Sequence, residues 1–317
     1  MFSFINFLQS ILRKLQKNKG IWFTVLTVAS VMGVLISISL MNMMTNDVSH
    51  KTYLQVHHVD TTELDNMLDN KYDSLLAIGG VIAIYPDIIA NIKSKSDKSL
   101  NDLLDFASKA INERVNIAPL QVRYYAKDFK SSLSENFTYA DLVIDTTTSV
   151  TGLVVNSNGV RVIAITPVVD GNLTVGAIEV SQDISSLREQ FEKTGKEFAF
   201  ILNKSQLVFL GLGTKQGNLQ DIDDKYKIFF HKYNSQFYTN TQEINIEELE
   251  HEKYHVNSKF FTTYEEGVDI NGKPIGIFLL GESSKEANSF VNITKNLIGS
   301  VTTVALGLVI SLILFMF

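Results

Sequence analysis

Two stretches without a charged residue bracket most of this 317-residue chain. The first is Gly20–Asn46 and the second is Asn296–Phe317. About 20 apolar residues in a helix cross the hydrocarbon layer of a bilayer, and both stretches are long enough. The chain between them is mixed in character and rich in acids. It reads as a water-facing domain held to a membrane at both ends.

Charge sets the orientation. Arg13, Lys14, Lys17 and Lys19 precede the first stretch, and no acidic residue occurs before Asp47. The positive-inside rule then places the N-terminus in the cytoplasm and the main domain outside. The apolar run is too long for a secretory signal, and no small-residue cleavage site follows it. Phe4, Ile5, Leu8, Ile11, Leu12 and Leu15 recur at helical spacing. They fit either a helix lying on the inner leaflet or an ordinary juxtamembrane anchor.

Of the 28 basic residues only those four lie in the N-terminal part, so the remaining 24 face all 34 acids and leave a net charge of about −10. That disfavours nucleic acid, whose phosphates need a basic surface. The chain has no cysteine, which excludes thiolate metal sites and thiol nucleophiles. A domain of this size buries enough surface to fold without disulfides.

From Asp47 to Ile92, the residues Leu54, Leu64, Met67, Leu68, Leu75, Leu76, Ile82 and Ile88 keep a helical rhythm, with Gly79–Gly80 and Pro86 as break points. Ser99 caps a second helix that ends near Glu113. The period then becomes strand-like at Leu120–Tyr125, Val150–Asn156, Val160–Thr166 and Val175–Ser181. Asn158–Gly159 and Asp170–Gly171 supply hairpin turns. A helix is expected over Ile184–Lys193, and strands over Glu197–Asn203 and Gln206–Leu210. A loop with Gly211, Gly213 and Gly217 follows, then a polar, helix-like region up to about Tyr254. Strands Phe260–Val268 and Pro274–Gly281 join through Asn271–Gly272. A helix from Glu282 to Lys295 leads into the second apolar stretch. The pattern predicts an α+β fold with two antiparallel-sheet modules in series.

The run "YPDIIANIKSKSDKSLNDLLDFASKAINER" with "LQVRYYAKD", and the run "VTGLVVNSNGVRVIAITPVVDGNLTVGAIEVSQDISSL", resemble the double-Cache sensor domains of bacterial chemoreceptors and sensor kinases. Residues 80–195 carry most of the likeness. "DINGKPIGIFLLGESS" fits more loosely. The resemblance implies two PAS-like modules on a long N-terminal helix, flanked by two transmembrane helices. The expected layout is a cytoplasmic amphipathic segment 1–19, membrane helix 20–44, helical stalk 45–98, membrane-distal module 99–195, membrane-proximal module 196–292 and membrane helix 293–317. It departs from the family in two places. The arginine expected four residues before Pro167 is Ile163 here, and Arg161 stands two residues earlier on the same strand face. The chain also ends at Phe317 with no cytoplasmic output segment of the usual kind.

The resemblance places ligand pockets on the sheet of the distal module, with Arg123 at the family's polar strand position. Alternation puts Gln121, Arg123 and Tyr125 on one strand face, with Arg161 on a neighbouring strand. A guanidinium bonds two oxygens at once, which suits a carboxylate. Glu179 or Asp183 would receive an amine. The competing reading makes these residues structural ion pairs.

His251-Glu252-Lys253-Tyr254-His255 spells H-E-x-x-H, which on a helix would set two histidines on one face for zinc. The highly charged surroundings argue against a protease, and neither metal nor cofactor is expected. His50, His57 and His58 lie on the first long helix, where a pH-sensing role competes with the commoner reading of exposed histidines without a task. Asp170-Gly171-Asn172-Leu173-Thr174 matches a bacterial glycosylation acceptor, but the plain turn is the favoured reading.

The expected function is a non-enzymatic sensor in the bacterial inner membrane, with its main domain in the periplasm. It would bind a small molecule, such as a carboxylate or amino acid, for chemotaxis or transmembrane signalling. A homodimer is expected from the apolar stripe of the first helix, together with an unidentified cytoplasmic signalling partner. The runner-up is an envelope binding or scaffold protein that does not signal, and an ectopeptidase is the third option.

Overall fold

The computed structural model describes residues 19–94, 97–114, 119–127, 137–211, 219–229 and 235–315. The helices are α1 (Lys19–Ala83), α2 (Pro86–Lys93), α3 (Asp97–Arg114), α4 (Phe137–Thr146), α5 (Ser185–Lys193), α6 (Ser235–Glu243), α7 (Ile246–Glu252) and α8 (Ser284–Phe315). The strands are β1 (Leu120–Ala126), β2 (Val150–Asn156), β3 (Gly159–Asp170), β4 (Leu173–Asp183), β5 (Glu197–Asn203), β6 (Leu219–Asp221), β7 (Tyr226–Phe229), β8 (Tyr254–Val256), β9 (Phe260–Val268) and β10 (Pro274–Ser283). The chain divides into two compact units, Met1–Gln55 with Glu286–Phe317, and Val56–Lys285.

In the first unit the Tyr53 hydroxyl donates to Asn288 Oδ1, and Ala287 and Val291 are buried. Among the described residues no single helix is long and apolar enough to cross a membrane. Leu35–Ala83 with Pro86–Lys93, bent by 67°, passes that test only as a pair.

In the second unit all ladders are antiparallel. The first sheet has the order β1-β4-β3-β2, and the second β6-β7-β5-β10-β9-β8. The α+β character with antiparallel sheets and a long N-terminal helix is therefore as the sequence predicts. One apolar core runs beneath both sheets. It joins Leu64 and Leu75 of α1 to Val162, Ala164, Ile178 and Val180, and continues to Phe198, Phe200, Phe278 and Leu280. The other face of each sheet has its own cover. Helix α4 packs Ala140, Val143 and Ile144 on the four-stranded sheet. Helices α6 and α7 bring Phe237, Ile246 and Leu249 to the six-stranded sheet.

Several local expectations fail for identifiable reasons. Gly79–Gly80 does not break α1, which runs on to Ala83. At Gly79 the helix lies so close to β3 that a Cβ would stand 2.9 Å from Thr166 Oγ1. The glycine is there for close approach, and the break falls before Pro86, which opens α2. Gly79→Val is accordingly expected to cost about 1–3 kcal/mol through overpacking, read as a lower melting temperature. Ser99 lies inside α3, which begins at Asp97, and so is not its cap. Residues Gln206–Leu210 are not a strand. Asn203 Oδ1 accepts from Ser205 N at 2.9 Å and turns the chain into a 3-10 segment, Lys204–Phe209. Of the glycine loop, Gly213 and Gly217 lie outside the described residues, as does the segment 1–18. The short strands β6 and β7 stand in a region expected to be helical, alongside α6 and α7, and β8 begins where that region ends.

The two sheets touch through a tight seam. Gly152 on β2 lies against Ile270, where a Cβ would meet Cγ1 at 2.6 Å. The Asn271 side-chain amide donates to the Tyr139 hydroxyl at 2.9 Å.

Candidate functional site

Strand alternation gathers all five sequence-predicted site residues on one face of the four-stranded sheet. Register pairs Arg123 with Glu179 and Arg161 with Asp183. Tyr125 stands two residues beyond Arg123 on the same side of β1. Helix α4 covers the apolar part of this face, where Ile163 and Ile165 of β3 meet Val154 and Ala177. The polar residues continue that face along β4 and β3.

The bonds are specific. The Tyr125 hydroxyl donates to Glu179 Oε2 at 2.7 Å. Arg161 Nε donates to Ser181 Oγ at 3.2 Å, and its Nη2 to the Ser181 carbonyl at 3.1 Å. Asp183 Oδ1 accepts from Ser185 N at 2.8 Å, which ties it to the start of α5. Glu179 is 0 % and Arg161 4 % exposed. Arg123 and Asp183 are half-buried and form the side open to water. Burial, followed by the neighbouring Glu179 charge, raises the Tyr125 hydroxyl well above its ordinary pKa, so it stays a neutral donor. Burial also pulls the Arg161 guanidinium down, against the opposing pull of Asp183 and Glu179. It still holds its proton, because a guanidinium starts so high.

An alternating row of guanidinium, carboxylate and phenol can bind a ligand that carries both an anionic and a cationic group. The half-buried Arg123 would meet the anion and the half-buried Asp183 the cation, with Glu179 buried behind them. Ser181, which anchors Arg161, was not singled out from the sequence. Its place on β4, between Glu179 and Asp183, is the signal that would have found it.

Two cavities lie elsewhere and include none of the five residues. One, of about 610 Å³, runs along β2 between Tyr139, Leu142, Phe209 and Asn271. The other, of about 650 Å³, is lined by His57, Glu250, Lys253, Tyr264, Glu265 and Glu266.

The H-E-x-x-H motif is divided between a helix and a strand. Helix α7 ends at Glu252, Lys253 takes a left-handed conformation with φ 69°, and His255 belongs to β8. The two histidines therefore do not share a helix face. His251 is paired with Glu252 at 3.1 Å, and its side chain is 85 % exposed. Among the described residues no group of three or more histidine and carboxylate side chains is placed to hold a metal ion.

Comparison with curated protein sequences gives no match. Among solved structures, the chain is similar to the domain of a sensory box/GGDEF family protein from Vibrio parahaemolyticus. Identity is 11 %, covering 76 % of this chain and 99 % of that one, with a TM-score of 0.45. It is also similar to the ligand-binding domain of Campylobacter jejuni chemoreceptor Tlp3, solved in complex with L-valine, at 10 % identity, 79 % and 98 % coverage and TM-score 0.43. A third is the sensor domain of the V. cholerae histidine kinase DctB, at 9 % identity, 73 % and 98 % coverage and TM-score 0.36. The model of the family dCache_3, described as the double sensory domain of two-component sensor kinase, matches residues 53–287. That match takes in both sheets and most of the chain, and the protein belongs to the dCache_3 family of double sensory domains.

Proposed function

We propose that the protein is a membrane-anchored sensor that binds a small molecule, a carboxylate or an amino acid, outside the cytoplasm. The ligand would sit on the charged face of the four-stranded sheet. Membership of a sensory-domain family supports the general role. The observation that carries the specific one is the convergence of Arg123, Tyr125, Arg161, Glu179 and Asp183 on one sheet face. Binding would favour one packing of the distal module, and α1 and α8 would pass the difference inward. In this reading residues 20–44 and 293–317 span the inner membrane, 45–98 form a stalk, 99–195 the distal module and 196–292 the proximal one. The bare apolar side chains of Leu35, Ile36 and Met43 on α1, and of Leu297, Val301 and Val304 on α8, suit a lipid surrounding. The functional unit would be a homodimer acting on a cytoplasmic partner in chemotaxis or kinase signalling.

The test is a thermal-shift screen of the full chain in detergent against amino acids, organic acids and amines, repeated with Arg123→Ala. Losing one charge-assisted contact should weaken binding by about 10- to 150-fold, corresponding to about 1.5–3 kcal/mol. The ligand-free melting temperature should change little, because Arg123 is half-open to water. A panel in which every compound leaves wild type and variant unshifted would count against this assignment.

A further inference from the structure

Away from that face, three carboxylates converge on one ammonium. Lys196, in the turn between α5 and β5, places Nζ 2.7 Å from Asp60 Oδ1, 2.5 Å from Glu63 Oε2 and 3.3 Å from Glu282 Oε1. Asp60 and Glu63 lie close together on α1, and Glu282 is near the end of β10. The Asp60 side chain is 1 % exposed. Its other oxygen accepts from Thr263 Oγ1 on β9 at 3.3 Å. One ammonium cannot balance three carboxylates, of which Asp60 is buried and Glu63 and Glu282 are half-buried, and surplus charge in such a place is costly. Proton uptake removes the surplus.

We propose that this cluster makes the protein a proton sensor, with Asp60 as the proton acceptor and the seam between α1 and the six-stranded sheet as the part that responds. Burial, and then the Glu282 charge, push the Asp60 carboxyl up to about 6, although Lys196 and Thr263 pull it down. Burial alone would lower the Lys196 ammonium, but its bonds to Asp60 and Glu63 outweigh that and hold it above its ordinary value. Lys196 faces three carboxylates while Asp60 faces one ammonium. The proton therefore goes to Asp60, and Lys196 stays charged.

With Asp60 ionised, its charge repels Glu282 across the seam. With Asp60 neutral, Lys196 pairs with Glu63 and Glu282 and draws α1 onto the sheet. A carboxyl held at about 6 instead of its ordinary value near 4 binds this proton about 100-fold more tightly in the folded chain than in the unfolded one. The folded state gains as pH falls from about 6 towards 4, and loses the gain as pH rises through about 6. His57, a turn earlier on α1, works in the opposite direction. Burial first, then Lys253 and His58, lower its pKa, so its contribution falls in acid. Burial raises Asp65 on α1 and Glu265 on β9, which share the sign of Asp60. Only the difference between wild type and an Asp60 variant isolates the site.

The experiment compares wild type with Asp60→Asn, as full chains in detergent, from about pH 3.5 to 7.5. The melting temperature of the variant should converge on wild type as pH falls below about 4. It should exceed wild type by several degrees at the neutral end, with the difference growing between about pH 4 and 6. Nitroxides at Thr62 and Lys259 should give a narrower distance distribution at pH 5 than at pH 7.5 in wild type, and a narrow one throughout in Asp60→Asn. A melting difference that stays constant with pH, or wild-type distances that ignore pH, would overturn the proposal. If Asp60→Asn does not fold, Glu282→Gln serves instead. Without the repelling charge the midpoint of the distance change must fall, and a midpoint that does not move overturns the proposal.

Discussion

Arg161→Ala is expected to lower the stability of the Val56–Lys285 unit by about 3–5 kcal/mol, the usual cost of removing one partner of a buried charge set. For a unit of this size that is a drop of about 6–20 °C in melting temperature. The guanidinium is 4 % exposed. It spans to the Ser181 hydroxyl and carbonyl and offsets the charges of Asp183 and Glu179. Alanine would leave those acids without their buried cation. Arg161→Lys should recover only part of the loss, because a point charge cannot repeat two fixed donors. The contrast with Arg123 is the informative part. The half-buried arginine should govern ligand affinity and the buried one stability. Thermal unfolding of the two alanine variants, with and without a ligand found in the screen, separates the roles. A melting temperature for Arg161→Ala within about 2 °C of wild type would return it to the role of an exchangeable ligand contact.

Phe278→Ala should cost as much by a different route. Phe278 lies in the middle of β10, 2 % exposed. Its ring meets Phe200 edge-on at 4.9 Å and Phe198 at 5.9 Å between centroids. Truncating a buried phenylalanine removes its transfer energy and leaves a cavity, together about 3–5 kcal/mol. Gly267 and Gly276 hold the neighbouring backbone against these rings, so little can move in to fill the space. Because the core is continuous along α1, denaturant unfolding should keep a single transition with a lower midpoint. Separate transitions for the two sheets would show that the core is not one cooperative body.

Much of this arrangement is visible in the residues alone. The three-strand run β2-β3-β4 follows from glycine turns between β-branched stretches. The shared face of Arg123, Arg161, Glu179 and Asp183 follows from the two-residue period of strands. Helix α4 is absent from the sequence reading: Ala140, Val143 and Ile144 have helical spacing, but its β-branched content hides it. The stretch Gln206–Leu210 looks like a strand by its apolar pattern, but Asn203 overrides that pattern with one side-chain bond. Strands β6 to β8 have only three or four residues each, too few to show a period. The Asp60–Lys196 contact joins residues 136 positions apart, and no local pattern announces a tertiary ion pair.

The place of β10 also bears on how the chain is made. It lies between β5 and β9 and is the last of the described strands in chain order. The four-stranded sheet is complete in sequence by Asp183 and can close from neighbouring hairpins. The six-stranded sheet cannot. Until Pro274–Ser283 appears, β5 and β9 present their phenylalanines along unpaired edges, the kind of surface that draws strands from other chains. Between synthesis of Asn203 and Ser283 those edges stay open, and the six-stranded sheet closes later than the four-stranded one.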